Sequence, residues 1–192
     1  MSSVVVKRIK LELNTESIDA AIASLNTFQE ELSAKKMELI EALAKDGAEI
    51  AKQKIGEEGA VYTGDLQNSI RYEVNAKDRK GSVLAGEGLG YAPYVEYGTG
   101  VVGAGSPHPG IVSGESQPPV MTHTTAQGET HVYGGYDSQG HGGHGWNYYG
   151  RDEHYHWTAG YKSRPFMYNT LRELEKIAPD KAGEILLKGY SN

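Results

Sequence analysis

The residues best suited to chemistry in this chain are its histidines. All seven lie between positions 101 and 163. Two pairs have ligand-like spacing, His141-Gly142-Gly143-His144 and His154-Tyr155-His156. Imidazole nitrogens bind zinc, copper, iron and nickel, and the function class they would imply is a metal-dependent hydrolase. A catalytic zinc site wants three protein ligands held on rigid elements. Here glycine lies inside the first pair, the second alternates along an extended stretch, and no His-Glu-x-x-His helix occurs. These read as surface histidines, so no metal and no cofactor are expected. Nucleophilic chemistry finds less support. The chain contains no cysteine and no Gly-x-Ser-x-Gly elbow. Gly86-Glu87-Gly88-Leu89-Gly90 mimics part of a phosphate loop but lacks the Lys-Ser/Thr that completes one. No catalytic residue is assigned, and the chain is not expected to be an enzyme.

A second candidate is the carboxylate of Glu96. It sits in Tyr91-Ala92-Pro93-Tyr94-Val95-Glu96-Tyr97-Gly98-Thr99-Gly100, one acid in an aromatic surround. Gly98 and Gly100 let the backbone turn where a side chain would clash. A carboxylate taken into such a setting needs a partner, since burial without one is strongly unfavourable. Arg164 is the first candidate, with Tyr94 and Tyr97 expected near Phe166 and Leu171.

The elements that must position these residues follow from periodicity. Ile9, Leu11 and Leu13 alternate with charged residues, which predicts a strand. Asn14 or Thr15 can cap the helix that follows, with Glu16 and Asp19 in its first turn. Apolar residues recur at helical spacing from Ile18 to Leu32 and again from Met37 to Ala51. The five-residue step between them predicts either a break near Ser33 or one long helix that packs against another subunit. Gly56 to Gly59 ends it. Thr63 can cap a short turn, Ile70 to Val74 and Ser82 to Ala85 read as strands, and the Glu96 segment as a short helix or bent strand. Near the end, Ser163 or Arg164 can cap a helix with Pro165 at its first position. Pro179 should start a separate final helix, and Gly189 should follow its end.

Residues 101–163 differ in kind. They hold 13 of the 25 glycines, six of the 13 tyrosines and both tryptophans, but only two basic residues, Arg151 and Lys162. Such a stretch cannot fill a core and predicts a loop or arm. Trp146, Tyr148 and Tyr149 on one side of a turn, with Tyr155 and Trp157 on the other, predict an aromatic hairpin over about 146–158. Its rings would supply contact area at an interface. The fold class expected is α+β, a small mostly antiparallel sheet with a long N-terminal helical region and C-terminal helices. Residues 1–100 form the core, 101–163 the insertion, and 164–192 complete the core. The formal charge of −6 argues against tight phosphate neutralisation, which needs clustered lysine and arginine. No apolar run approaches the roughly 20 residues that span a bilayer. The N-terminus lacks the basic start and apolar stretch of a secretory signal, so synthesis and assembly in the cytoplasm are expected.

Three motifs, in this order after a long helical region, carry a resemblance. They are Thr63-Gly64-Asp65-Leu66-Gln67-Asn68-Ser69-Ile70, the segment Tyr91 to Gly100, and Arg164-Pro165-Phe166-Met167. Together they resemble the neck, or tail-completion, family of long-tailed bacteriophages, whose members are often labelled minor capsid or morphogenesis proteins. The likeness covers residues 1–100 and about 145–178. It implies a structural virion protein at the head–tail junction, acting without enzymatic activity in a ring around the DNA channel. A hexamer is implied because the tail tube it would meet is six-fold. The partners implied are copies of itself, the head-completion or connector proteins, and the tail-terminator or tail-tube proteins. Genomic DNA would pass without tight binding, beside acidic residues such as Glu30, Glu31, Glu38, Glu41, Asp152 and Glu153. Thr63, Gly64, Leu66, Tyr91, Tyr94, Glu96, Tyr97, Gly98, Thr99, Arg164, Pro165 and Phe166 are the structural or interface residues this implies. Two alternatives stand beside it: a tail-terminator or other ring protein of the same junction, and a virion-associated metal-dependent hydrolase.

Overall fold

Helix α1 begins at a cap. The Asn14 side chain accepts a hydrogen bond from Ser17 N at 2.8 Å, which satisfies one of the amides that a helix start leaves free. The computed structural model describes residues 12, 14–61, 63–110, 121–124, 130–133, 145–149 and 152–189. The strand expected from Ile9 to Leu13 and the pair His141 and His144 lie outside the described residues.

From this cap α1 runs without a break from Thr15 to Glu57, roughly 64 Å at 1.5 Å per residue. The phase slip near Ser33 does not interrupt it, because no proline lies within its length to remove a ladder hydrogen bond. What changes there is the packing. Beyond the slip α1 buries Ala44, Gly47, Ala48, Ala51 and Ile55, whereas Ile18, Ile22 and Leu25 before it stay exposed.

After α1 come α2 (Asp65–Asn68), β1 (Arg71–Asn75) and β2 (Lys80–Leu84). The two strands pair antiparallel, Arg71 opposite Leu84 and Asn75 opposite Lys80. Helices α3 (Ala92–Tyr97) and α4 (Gly100–Ala104) follow, then β3 (Met121–Thr124) with β4 (Thr130–Tyr133), and β5 (Trp146–Tyr149) with β6 (Tyr155–Thr158). The expected aromatic hairpin is thus formed, with Asn147 opposite Trp157. Instead of one small sheet, the described strands make three separate two-stranded antiparallel sheets. A short segment, β7 (Gly160–Tyr161), leads to α5 (Phe166–Leu187).

Two expectations for α5 need correction. Pro165 is the residue before the helix, not its first helical position, and Pro179 lies inside one continuous helix instead of starting a second. Pro179 is exposed, so its ring points away from α1 and the carbonyl it leaves unpaired can be hydrated. Contacts with α1 hold the segment beyond it in line. Lys181 Nζ pairs with Asp46 at 2.9 Å, Ile185 is buried, and Lys35 Nζ donates to the carbonyls of Leu186 and Lys188. Lysine at the last carbonyls of a helix is a stabilising placement. Gly189 follows the helix in the left-handed region, φ +83°, as expected.

The core lies where α1, α2, α3 and α5 meet. Ala48, Ala51 and Ile55 of α1, Leu66 of α2, Ile70, Ala92 of α3 and Phe166 of α5 form one buried cluster. The hairpin β1–β2 and α5 flank the middle of α1. There Gly47 admits close approach, since a Cβ at that position would stand 2.8 Å from Val83 Cγ2 and 2.9 Å from Leu174 Cδ1.

Candidate functional site

Helix α3 carries Glu96 into the interior, where it is 8% exposed. Its Oε2 accepts from Met167 N at 2.9 Å and its Oε1 from Tyr168 N at 3.0 Å. These are the second and third residues of α5, the amides that an N-cap side chain ordinarily serves. Pro165, the residue in the capping position, has no side-chain acceptor, and no side-chain cap bond is formed there. Glu96 therefore caps α5 from a distance, and its charge sits where the helix dipole favours an anion.

The contact runs both ways. Arg164 N donates to Val95 O at 3.0 Å, and Ser163 Oγ donates to Glu96 O at 2.7 Å. Each helix end thus satisfies orphan groups of the other. The expected Glu96–Arg164 side-chain pair is not what holds Glu96: Arg164 contributes its backbone, and the carboxylate is held by backbone amides and by His108.

His108 is buried, 6% exposed, with Nε2 2.9 Å from Glu96 Oε1. Gly110 N donates to its Nδ1 at 2.9 Å. An Nδ1 that accepts leaves the proton on Nε2, so this network assigns the neutral tautomer that donates to the carboxylate. The ring is held between Tyr97, at 4.6 Å between centroids, and Tyr168, edge-on at 5.3 Å. Burial, and secondarily the Glu96 charge, pushes the Tyr97 phenol up from its ordinary value. With both oxygens committed, Glu96 is not poised as a base or nucleophile. Its chemistry is to fix α3, α5 and the His108 loop in one geometry.

The glycines beside it have a physical reason. Gly98 has φ +80°, and a Cβ there would stand 2.6 Å from Ser163 N. Gly160 has φ +100°, and its Cβ would stand 2.0 Å from Thr99 O. Two backbones cross in contact here, Thr99 bridging Tyr161 and Gly100 bridging Gly160. Tyr161 N also donates to Thr99 Oγ1 at 3.1 Å.

The Thr63 motif is likewise positional. Thr63 Oγ1 donates to Asp65 Oδ2 at 2.6 Å, Leu66 and Ile70 are buried, and Ser69 Oγ accepts from Gly86 N and donates to Leu66 O, both at 2.7 Å. Thr63, Gly64, Leu66, Tyr91, Tyr94 and Arg164 line a single pocket of about 480 Å³. All three motifs therefore meet at one place. Tyr97, Phe166 and Leu171 instead line an open depression on the Glu96 side of α3, so Tyr94 and Tyr97 are split between two cavities.

Of the hairpin residues, Trp157 is exposed; the side chains of Trp146, Tyr148 and Tyr149 lie outside the described residues. His154 is exposed, and His156 Nε2 lies 2.9 Å from both carboxylate oxygens of Asp152, which lowers the Asp152 pKa. No group of three or more His, Asp or Glu side chains able to hold a metal occurs among the described residues. His108 is the site residue that sequence reasoning missed. The signal was its place between Pro107 and Pro109, which stiffens the backbone on both sides.

Over residues 19–98 the chain matches the HK97-gp10-like family model, described as "Bacteriophage HK97-gp10, putative tail-component". The matched span holds most of α1, the Thr63 motif, β1–β2 and α3 with Glu96. No curated protein and no solved structure matches the chain. The family is one of structural phage tail components, and no helix among the described residues is long and apolar enough to cross a membrane.

Proposed function

We propose that this chain, matched over residues 19–98 to a family of phage tail components, is a structural protein of the virion neck. It completes the tail or joins head to tail as one subunit of a closed ring around the DNA channel, with six-fold symmetry. The observation that carries the ring is the N-terminal half of α1. It extends past the core and exposes Ile18, Ile22 and Leu25, an apolar stripe of the kind a neighbouring subunit covers. No enzymatic activity is proposed. Residues 1–100 and 164–192 form the core, and 101–163 an insertion whose two roots, at His108 and at Gly160 to Ser163, are fastened to it. The partners are the connector or head-completion proteins on one side and the tail-terminator or tail-tube proteins on the other. A reconstruction of the head–tail junction of virions carrying a labelled copy of this chain tests the reading. A closed ring at the junction is expected; a lone copy, or a label elsewhere in the virion, overturns it.

A further inference from the structure

Two surfaces of this molecule are chemically opposite and lie toward opposite ends of α1. One is the pocket just beyond its C-terminus. Val61, Leu66, Tyr91 and Tyr94 line it, and among the described residues its charged lining residues are Lys162 and Arg164. Arg164 Nε is buried without a hydrogen-bond partner, the one such side-chain atom among the described residues. The residue as a whole is only half-buried, so an oxygen anion entering the pocket can pair with the guanidinium, whose Nε lacks an acceptor of its own.

The other surface is the N-terminal half of α1. Ile18, Ile22 and Leu25 are 41%, 52% and 55% exposed and, at spacings of four and three, form one stripe. Ala21, on the neighbouring strip, is buried, whereas the stripe itself is open. From Asn14 to Ala34 the helix holds Glu16, Asp19, Glu30 and Glu31 and no lysine or arginine. Asp19 is one residue, about 100° around the helix, from Ile18 and three residues from Ile22, which places a carboxylate at the edge of the stripe.

We propose that the pocket of one copy receives the N-terminal turns of α1 from the next copy. The Asp19 carboxylate accepts from the Arg164 guanidinium, and Ile18 and Ile22 enter between the tyrosines. A cavity of about 480 Å³ takes a few side chains and not a whole helix, which fits the insertion of one helical face. A continuous helix of roughly 64 Å has the two surfaces toward its opposite ends, so a chain cannot satisfy its own pocket. A contact between unlike surfaces repeats head to tail and closes into a ring when its rotation allows. The inference rests on the ring reading above and adds which surfaces make the joint.

The chain has no cysteine, so an engineered pair reports on this joint against a silent background. Ile22→Cys and Val61→Cys, both at exposed positions, are combined in one chain, and purified virions are mildly oxidised. A ladder of covalent oligomers on a non-reducing gel is expected, rising to the ring and absent from either single variant. A ladder stopping at the dimer would indicate an antiparallel pair and overturn the head-to-tail joint. A closed ring at the junction with no cross-link overturns this inference and leaves the ring reading intact. Absence of a ring overturns both. As a second readout, Arg164→Glu and Asp19→Arg should each cut incorporation into virions at least ten-fold, and the two together should restore it. If the combined variant, soluble and folded, incorporates no better than the singles, the pairing of these residues is wrong.

Discussion

Glu96 accepts three hydrogen bonds in a nearly water-free place, and its replacement shows what each oxygen does. Gln at 96 keeps one acceptor and turns an NH₂ toward an amide or toward His108, setting donor against donor. Glu96→Gln should lower unfolding free energy by about 1–3 kcal/mol, read from a urea titration; an unchanged midpoint would show that the carboxylate does not secure α5. Tyr97 supplies an independent readout. Its raised pKa means that the folded state holds the phenol proton more tightly than the unfolded chain does. The stability linked to it is fully present below the ordinary tyrosine pKa of about 10 and is lost as pH rises through the shifted value. An ultraviolet pH titration of the native protein should show one phenol ionising late. Glu96→Gln should bring that transition part of the way back, since burial, the larger cause, remains. At this scale the sequence was half legible. One acid among tyrosines announces a buried carboxylate that needs partners. Backbone amides of a helix 71 residues away leave no mark on a side-chain pairing argument, which looks for an arginine and finds the wrong atoms of Arg164.

Among the elements, those with strong periodicity were read correctly in kind and wrongly in their ends. The slip at Ser33 and the proline at 179 are both local irregularities, and both lie within continuous helices. The causes differ: the slip leaves the α1 ladder intact and changes only the surface it buries, whereas α5 is clamped to α1 on either side of the proline by Leu174 and by Lys181, Ile185 and the Lys35 bonds. Pro179 therefore disfavours a helix that its neighbours impose. Pro179→Ala should stabilise the protein by about 1–3 kcal/mol, the helix-interior penalty of proline less the entropy that proline removes from the unfolded chain. A rise in the thermal midpoint checks it; a fall would show that the ring makes a contact of its own. The aromatic hairpin was legible from residue type alone, because two aromatic runs around a short polar turn have few other arrangements. The division into several small sheets was not, since pairing partners depend on where helices leave room.

For the whole molecule the acidic balance is the feature with the widest reach. Glu30, Glu31, Glu38 and Glu41 are all exposed on α1, and in a ring such a face would recur with every subunit, summing its field. Phosphate binding draws on lysine and arginine and falls steeply with salt. Titrating duplex DNA at physiological salt should therefore show no submicromolar binding, as suits a passage that lets DNA slide; submicromolar affinity would sink that expectation.

The reciprocal capping of α3 and α5 also bears on timing during synthesis. The chain leaves the ribosome from its N-terminus at about 5–20 residues per second, so α1, the first hairpin and α3 emerge while α5 does not yet exist. In that interval Glu96 has no amides to accept from, the last carbonyls of α3 wait for Ser163 and Arg164, and the groove that Phe166 will fill stays open. No native arrangement of the N-terminal hundred residues is complete until the final helix arrives to close it. A nascent or truncated copy thus lacks the finished pocket built in part by Arg164, so the joint proposed above would admit a chain only after α5 has docked, a quality check made by the order in which the polypeptide is born.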